Sequence, residues 1–259
     1  MKEILKINEL RKIYHTKQGE TIALDNFSFN LNEGEFVSIV GPSGCGKSTL
    51  LSILCGLIES SSGSINYGEN IKIGYMLQND SLFDFKTILN NCLLGLKINH
   101  NLTEENKNYV INLLKTYDLI DFIDSYPENL SGGMRQRCAL IRTLACKPDI
   151  LLLDEPFSAL DYQSRLAVSD DIFNIIKKEK KSAIMVTHNL SEAISMSDKV
   201  IVLSKRPGKI KNIYEINLEN KSNPTENRKD KYFNYYHDLI WKDIDFNDEL
   251  RTSSLSKKN

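Results

Sequence analysis

Residues 41–49 read GPSGCGKST and lie between two apolar runs, Phe36-Val-Ser-Ile-Val40 and Leu50-Leu-Ser-Ile-Leu54. Gly41, Gly46, Lys47 and Ser48 fill every fixed position of the pattern G-x-x-x-x-G-K-[ST], which requires a buried strand before it and a helix after it. Glycines let backbone N–H groups turn inward with no Cβ in the way. They form a concave nest for phosphate oxygens at the positive end of the following helix. In that nest Lys47 supplies a point charge for the β- and γ-phosphates, and Ser48 a hydroxyl for Mg²⁺. Thr49 faces the remaining phosphates, and Pro42, Ser43, Gly44 and Cys45 complete the loop. A flexible Gly-Ser loop with a surface lysine has no reason to satisfy all these positions in this setting. The chain is therefore expected to bind a nucleotide on an α/β scaffold.

The rest of the sequence supplies that scaffold. Residues 36–40, 150–153 and 183–186 are continuous apolar runs, as expected of parallel strands buried on both faces. Residues 5–13, 26–31 and 64–67 alternate instead, and predict an antiparallel layer beside the nucleotide. Between residues 87 and 146 helical periodicity replaces the strand pattern: 87–98, 103–117, and a segment from about Gly132 that ends before Pro148. This predicts a helical subdomain inserted into an α/β core. After Leu218 a polar stretch to Asp230 reads as a linker. Beyond it Tyr232, Phe233, Tyr236, Leu239 and Ile240 fall at helical spacing, which predicts a short amphipathic helix packing back on the body. Residues 254–259 are expected to fray.

A second chemical element is Ile150-Leu-Leu-Leu-Asp154-Glu155-Pro156. Ligands of parallel sheets collect at the carboxyl ends of strands, so both acids should meet the phosphates. Asp154 is the natural Mg²⁺ partner, and Glu155 can act as general base toward an attacking water. Leu130-Ser131-Gly132-Gly133-Met134 opens a helix, with Ser131 as its N-cap and two glycines that admit another group close to the exposed amides.

Composition narrows the classes. Lys plus Arg number 33 against 34 Asp plus Glu, so no global basic field points to nucleic acid. No run approaches the roughly 18 apolar residues of a membrane span, and the charged first fifteen residues carry no signal-peptide core. A soluble, cytosolic chain is expected. The five cysteines are scattered without C-x-x-C spacing and read as reduced thiols. Cys45, inside the phosphate loop, is read first as a small residue there; the alternative is a thiol whose pKa the helix N-terminal amides lower. His15, His100 and His237 have no partner pattern and are read as surface residues.

Together these motifs resemble the ATP-binding subunit of an ABC transporter. GPSGCGKST matches Walker A, LSGGM the signature, and ILLLDEP Walker B. Ser158-Ala-Leu-Asp161 matches the D-loop, and VTHN carries His188 as the switch histidine. Gln78, at the end of Ile73-Gly-Tyr-Met-Leu, matches the Q-loop, and Tyr14 the aromatic that stacks on adenine. The resemblance covers roughly residues 4–218 and implies a P-loop ATPase with a RecA-like core, an antiparallel β layer and a helical subdomain near 87–146. Residues 219–259 form a separate C-terminal extension. It also implies ATP and Mg²⁺ as cofactors, with Ser48, Gln78 and Asp154 toward the metal. Glu155, His188 and Gln78 become the catalytic set, with His188 contacting the γ-phosphate. Two copies would close head to tail around two ATPs, each facing Walker A of one chain and Ser131, Gly132 and Gly133 of the other. Asp161 would pass information between the sites.

Tyr75-Met-Leu-Gln78, residues 89–98, 145–161 and 202–209, and the run 215–218 resemble the importer branch that serves nitrate, sulfonate, taurine and pyrimidine precursors. That branch works with integral membrane permease subunits and an extracytoplasmic substrate-binding protein, which implies a peripheral position on the cytoplasmic face of the membrane. Leu82-Phe-Asp-Phe85 departs from the Leu-Pro-Trp type sequence usual there, at the groove expected to receive a permease helix. The motifs also suit an exporter or lipoprotein-release motor. A soluble ABC ATPase of repair or translation would usually carry tandem cassettes or a long coiled-coil insert.

Overall fold

The computed structural model describes residues 2–17, 19–219 and 221–244. Its strands are β1 (Glu3–Thr16), β2 (Gly19–Asn32), β3 (Phe36–Val40), β4 (Ser62–Tyr67), β5 (Ile73–Met76), β6 (Ile150–Asp154), β7 (Ser182–Thr187), β8 (Lys199–Leu203) and β9 (Ile210–Glu215). They make two sheets: an antiparallel one in the order β2-β1-β4, and a six-stranded one in the order β5-β6-β7-β3-β8-β9. In the larger sheet β5, β6, β7, β3 and β8 run parallel and β9 closes the edge antiparallel. Every residue of β3, β6 and β7 is buried, because both faces are covered. One face meets the small sheet and α1 (Lys47–Leu54), and the other meets helices.

Between β5 and β6 the chain is helical: α2 (Ile88–Cys92), α3 (Leu94–Ile98), α4 (Glu104–Thr116) and α5 (Gly132–Leu144). The stretch expected as one helix over 87–98 divides at Leu93 into two short ones. Thr87, Thr103 and Ser131 cap α2, α4 and α5 by accepting hydrogen bonds from the N–H groups of Asn90, Asn106 and Met134; such caps satisfy donors that a helix start leaves unpaired.

Two crossover helices follow β6 and β7: α6 (Tyr162–Lys178), capped by Asp161, and α7 (Leu190–Met196), capped by Asn189. Beyond β9 the polar stretch expected as a linker is docked on the body. It contains α8 (Pro224–Asn227), capped by Asn223, with Pro224 and Asn227 buried. The Asn227 side chain donates to the Ser195 carbonyl at 2.6 Å, and the Thr225 N–H donates to Asp170 at 2.8 Å. Polarity here reflects hydrogen bonding to α6 and α7, and the segment is no flexible tether. The last helix, α9 (Phe233–Asp243), buries Phe233 and Ile240 in a cluster with Leu190, Ala193 and Ile194 of α7. Tyr232 stays outside it as an exposed cap, and His237 stacks between the rings of Phe233 and Trp241. The expected fraying of residues 254–259 lies outside the described residues.

Candidate functional site

The loop of residues 41–46 joins β3, at the centre of the parallel sheet, to α1. Gly44 and Gly46 take positive φ, 72° and 111°. A Cβ on Gly46 would lie 2.8 Å from the Ala23 carbonyl oxygen, so backbone conformation and close approach both demand glycine there. Lys47 is only 7% exposed, and its ammonium donates to the carbonyls of Gly41 (2.8 Å) and Pro42 (3.2 Å).

β6 ends on Asp154, whose carboxylate accepts from the Ser48 hydroxyl at 3.2 Å and from the Tyr75 hydroxyl at 3.1 Å. Burial pushes the Asp154 carboxyl above its ordinary value, while the bonds from Tyr75 and Ser48 pull it down. Burial and the adjacent Asp154 charge hold the Tyr75 phenol protonated far above neutral pH, which keeps it a donor. Glu155 follows at φ 44°, a left-handed conformation uncommon for a side-chain-bearing residue, with its N–H bonded to the Val186 carbonyl. One oxygen of Glu155, Oε2, meets both His188 Nδ1 at 3.1 Å and Gln78 Nε2 at 3.4 Å. His188 is carried by the turn between β7 and α7. Its neighbour Thr187 donates to the buried Glu192 carboxylate at 2.8 Å, and the Asn189 N–H donates to the Thr187 hydroxyl.

Tyr14, Ser43, Gly44, Gly46, Lys47, Ser48, Thr49, Gln78, Glu155 and His188 line one open cavity of about 530 Å³, joined by Thr21, Ala23 and Arg206. Tyr14 stands on its wall, with its hydroxyl 3.5 Å from that of Thr49 and the Lys12 ammonium 5.2 Å from its ring centre. Gly41, Pro42, Cys45 and Asp154 stand behind that lining, Asp154 joined to it through its bond with Ser48. Ser131, Gly132, Gly133 and Asp161 are absent from the lining. Within the chain both signature glycines serve packing, since a Cβ would sit 3.0 Å from Leu160 on Gly132 and 2.8 Å from Val168 on Gly133.

Three contributors went unread in the sequence. Tyr75 holds Asp154, Arg206 enters from the turn after β8, and β2 supplies Thr21 and Ala23. For Cys45 the alternative of a lowered pKa is overturned. The thiol is 1% exposed, and burial raises its pKa against the opposing charges of Lys47 and Arg206. Its thiolate fraction at neutral pH is therefore below that of an ordinary cysteine. Iodoacetamide is expected to modify Cys45 more slowly than the half-buried Cys55, and bound nucleotide to slow it further. Peptide mass spectrometry that finds Cys45 modified first would refute this.

The chemistry of the cavity suits a polyphosphate with a hard cation. Its lining brings the phosphate-loop residues together with the Lys47 ammonium and the Arg206 guanidinium, and the Ser48, Asp154 and Gln78 oxygens are the donor type Mg²⁺ takes, with waters and phosphates completing the shell.

A protein-family model described as ABC transporter matches residues 24–158. The protein named as the uncharacterized ABC transporter ATP-binding protein YtlC, of Bacillus subtilis (strain 168), is 45% identical over 248 residues, covering 93% of this chain and 95% of that one. The nitrate import ATP-binding protein NrtD of Synechocystis sp. is 39% identical over 230 residues, 86% of either chain. Among solved structures, the dimeric post-hydrolysis state of the ATP-binding cassette MJ0796 bound to ADP and Pi aligns with a TM-score of 0.70 at 29% identity. That alignment spans 83% of this chain and 99% of the other.

Proposed function

The chain belongs to the ABC transporter family, and from that premise we propose that it is the motor of an importer for a small solute of the nitrate, sulfonate, taurine or pyrimidine-precursor kind. It is an ATP-binding and ATP-hydrolysing subunit. The observation that carries the mechanism is the convergence of His188 and Gln78 on one carboxylate oxygen of Glu155, in the cavity that the phosphate loop lines.

In this reading the loop amides and Lys47 orient the triphosphate. Ser48 and Asp154 would hold Mg²⁺, with Gln78 beside them, and the bound ion would supply charge neutralisation to the phosphates. Glu155 accepts a proton from the water that attacks the γ-phosphorus as the bond to ADP breaks, and His188 orients the Glu155 carboxylate and contacts the γ-phosphate. Ser131, Gly132 and Gly133 lie outside their own chain's cavity, so a second copy related by a two-fold axis completes each site and makes the same surface serve twice. Asp161 lies between the two sites.

Coupling to transport runs through the segment after Gln78. Arg142 donates to the carbonyls of Asp80 and Ser81, each at 2.6 Å, and Arg135 pairs with the Asp80 carboxylate at 3.2 Å. Movement at Gln78 is thereby passed to α5, and the helical segment 87–146 acts as one unit. Phe83 and the 74%-exposed Phe85 form an edge-to-face pair on the surface that faces the permease. Among the described residues no helix is long and apolar enough to cross a membrane. The permease supplies the span, and this subunit sits on its cytoplasmic face. Residues 219–259 are read as a C-terminal extension, in whose described part α9 lies on α7.

The test is mass spectrometry of proteins that co-purify with the tagged chain in mild detergent from its native cells. A multi-span permease together with a substrate-binding protein is the expected result. A permease alone would favour export, and ribosomal or repair partners without any membrane protein would overturn the transport reading.

A further inference from the structure

The turn of residues 204–209, between β8 and β9, is built into the phosphate loop. The Gly208 N–H donates to the Ala23 carbonyl at 2.9 Å, and the Asp25 N–H donates back to the Gly208 carbonyl at 3.1 Å. The Lys209 ammonium pairs with Asp25 at 2.9 Å. A Cβ on Gly208 would fall 2.2 Å from the Cys45 carbonyl oxygen, so only glycine lets the turn approach the loop this closely. The Ser204 hydroxyl braces the turn from inside, at 2.8 Å from the Pro207 carbonyl.

This anchoring sets Arg206 at the cavity. Its Nε donates to the Gly44 carbonyl at 3.0 Å, and its Nη2 lies 3.2 Å from the point where a Cβ on Gly44 would stand. Arg206 and Lys47 are the arginine and lysine residues of the lining, against the single carboxylate of Glu155. Lys47 is turned to the carbonyls of Gly41 and Pro42, whereas Arg206 lines the cavity beside Gly44. With Nε engaged, the two amino groups of the guanidinium remain as a parallel donor pair, the arrangement that suits phosphate oxygens. We propose that Arg206 is a ligand of the nucleotide's phosphate chain, a second fixed positive charge delivered to the phosphate loop by the turn after β8. The inference rests on the reading of this cavity as a nucleotide site.

The experiment uses the full chain and ATP, with EDTA present so that binding is measured without turnover. Dissociation constants are taken by calorimetry for the wild type, Arg206→Gln and Arg206→Lys, at low and high ionic strength, with a melting curve of each protein in the absence of nucleotide. Loss of a charged phosphate contact should raise the constant for Arg206→Gln about tenfold at low salt. That gap should narrow at high salt, and Arg206→Lys, which keeps the charge, should recover a good part of it. If the wild type binds ATP and Arg206→Gln binds it equally well, Arg206 is no ligand. If both variants weaken binding to the same extent at every salt concentration, with lowered melting temperatures, Arg206 merely braces Gly44 and the proposal falls. If the wild type itself does not bind ATP, the reading of the cavity fails first and carries this inference with it.

Discussion

Glu155→Gln is expected to bind ATP at least as tightly as the wild type and to hydrolyse it slower by about 10²- to 10⁴-fold, the usual worth of a positioned general base. The substitution keeps the size of the side chain, and the backbone constraints, φ 44° and the N–H bond to Val186, do not depend on the carboxylate. What it removes is the proton acceptor and one negative charge. That charge opposes ionisation of Asp154 and is the carboxylate of the cavity lining, so its loss favours the anionic nucleotide and the ionised metal partner. Phosphate release in single-turnover and steady-state assays, paired with an equilibrium binding constant, separates the two effects. Turnover near the wild-type rate would remove Glu155 from the role of base. A parallel loss of ATP affinity would mean that the side chain holds the site together instead.

The second large effect is expected at Lys47. Lys47→Ala should weaken ATP binding by about two orders of magnitude, since hydrogen bonds to charged groups contribute about 1.5–3 kcal/mol and 1.4 kcal/mol is a factor of ten. The protein without nucleotide should also lose stability, by roughly 1–3 kcal/mol. The reason is local: the buried ammonium is the donor to the Gly41 and Pro42 carbonyls, and truncation leaves both without it. Calorimetric titration and thermal melting measure the two losses independently. Unchanged affinity would dismiss Lys47 as a phosphate ligand, whereas unchanged melting with lost affinity would show that its carbonyl contacts contribute nothing to the fold.

Much of this site was legible before any coordinates. The phosphate loop is contiguous, and its requirements are local: glycine where φ is positive or another backbone approaches, and a hydroxyl and a lysine on the first turn of α1. Asp154 and Glu155 close an apolar run long enough to be a buried strand, and in a parallel sheet the carboxyl ends of the strands lie on the side where ligands collect. The capped helix starts at Thr87, Thr103 and Ser131 were written in the same local code. So was α8, where Asn223 and Glu226 stand at the spacing of a helix-capping pair; its polar composition masked that signal. The break at Leu93 had no such mark, because Leu93 ends α2 and starts α3 without a side-chain cap.

By itself the sequence determined the chemistry carried on single elements: a phosphate-binding strand-loop-helix, an acid pair closing a strand, a capped glycine turn, and enough buried strands for a parallel sheet. Those features depend on neighbours a few residues away, where backbone sterics and periodicity act. The tertiary structure alone decided which distant groups share atoms. Tyr75 donates to Asp154 across the adjacent strands β5 and β6, and His188 and Gln78 meet on Glu155 Oε2 from two different loops. Arg206 reaches Gly44 from 162 residues along the chain. Burial likewise set the Cys45 thiol, outweighing the lowering that a helix start can exert. Such outcomes arise from the order of strands in the sheet and from the low polarity of packed interiors, and a linear pattern encodes neither.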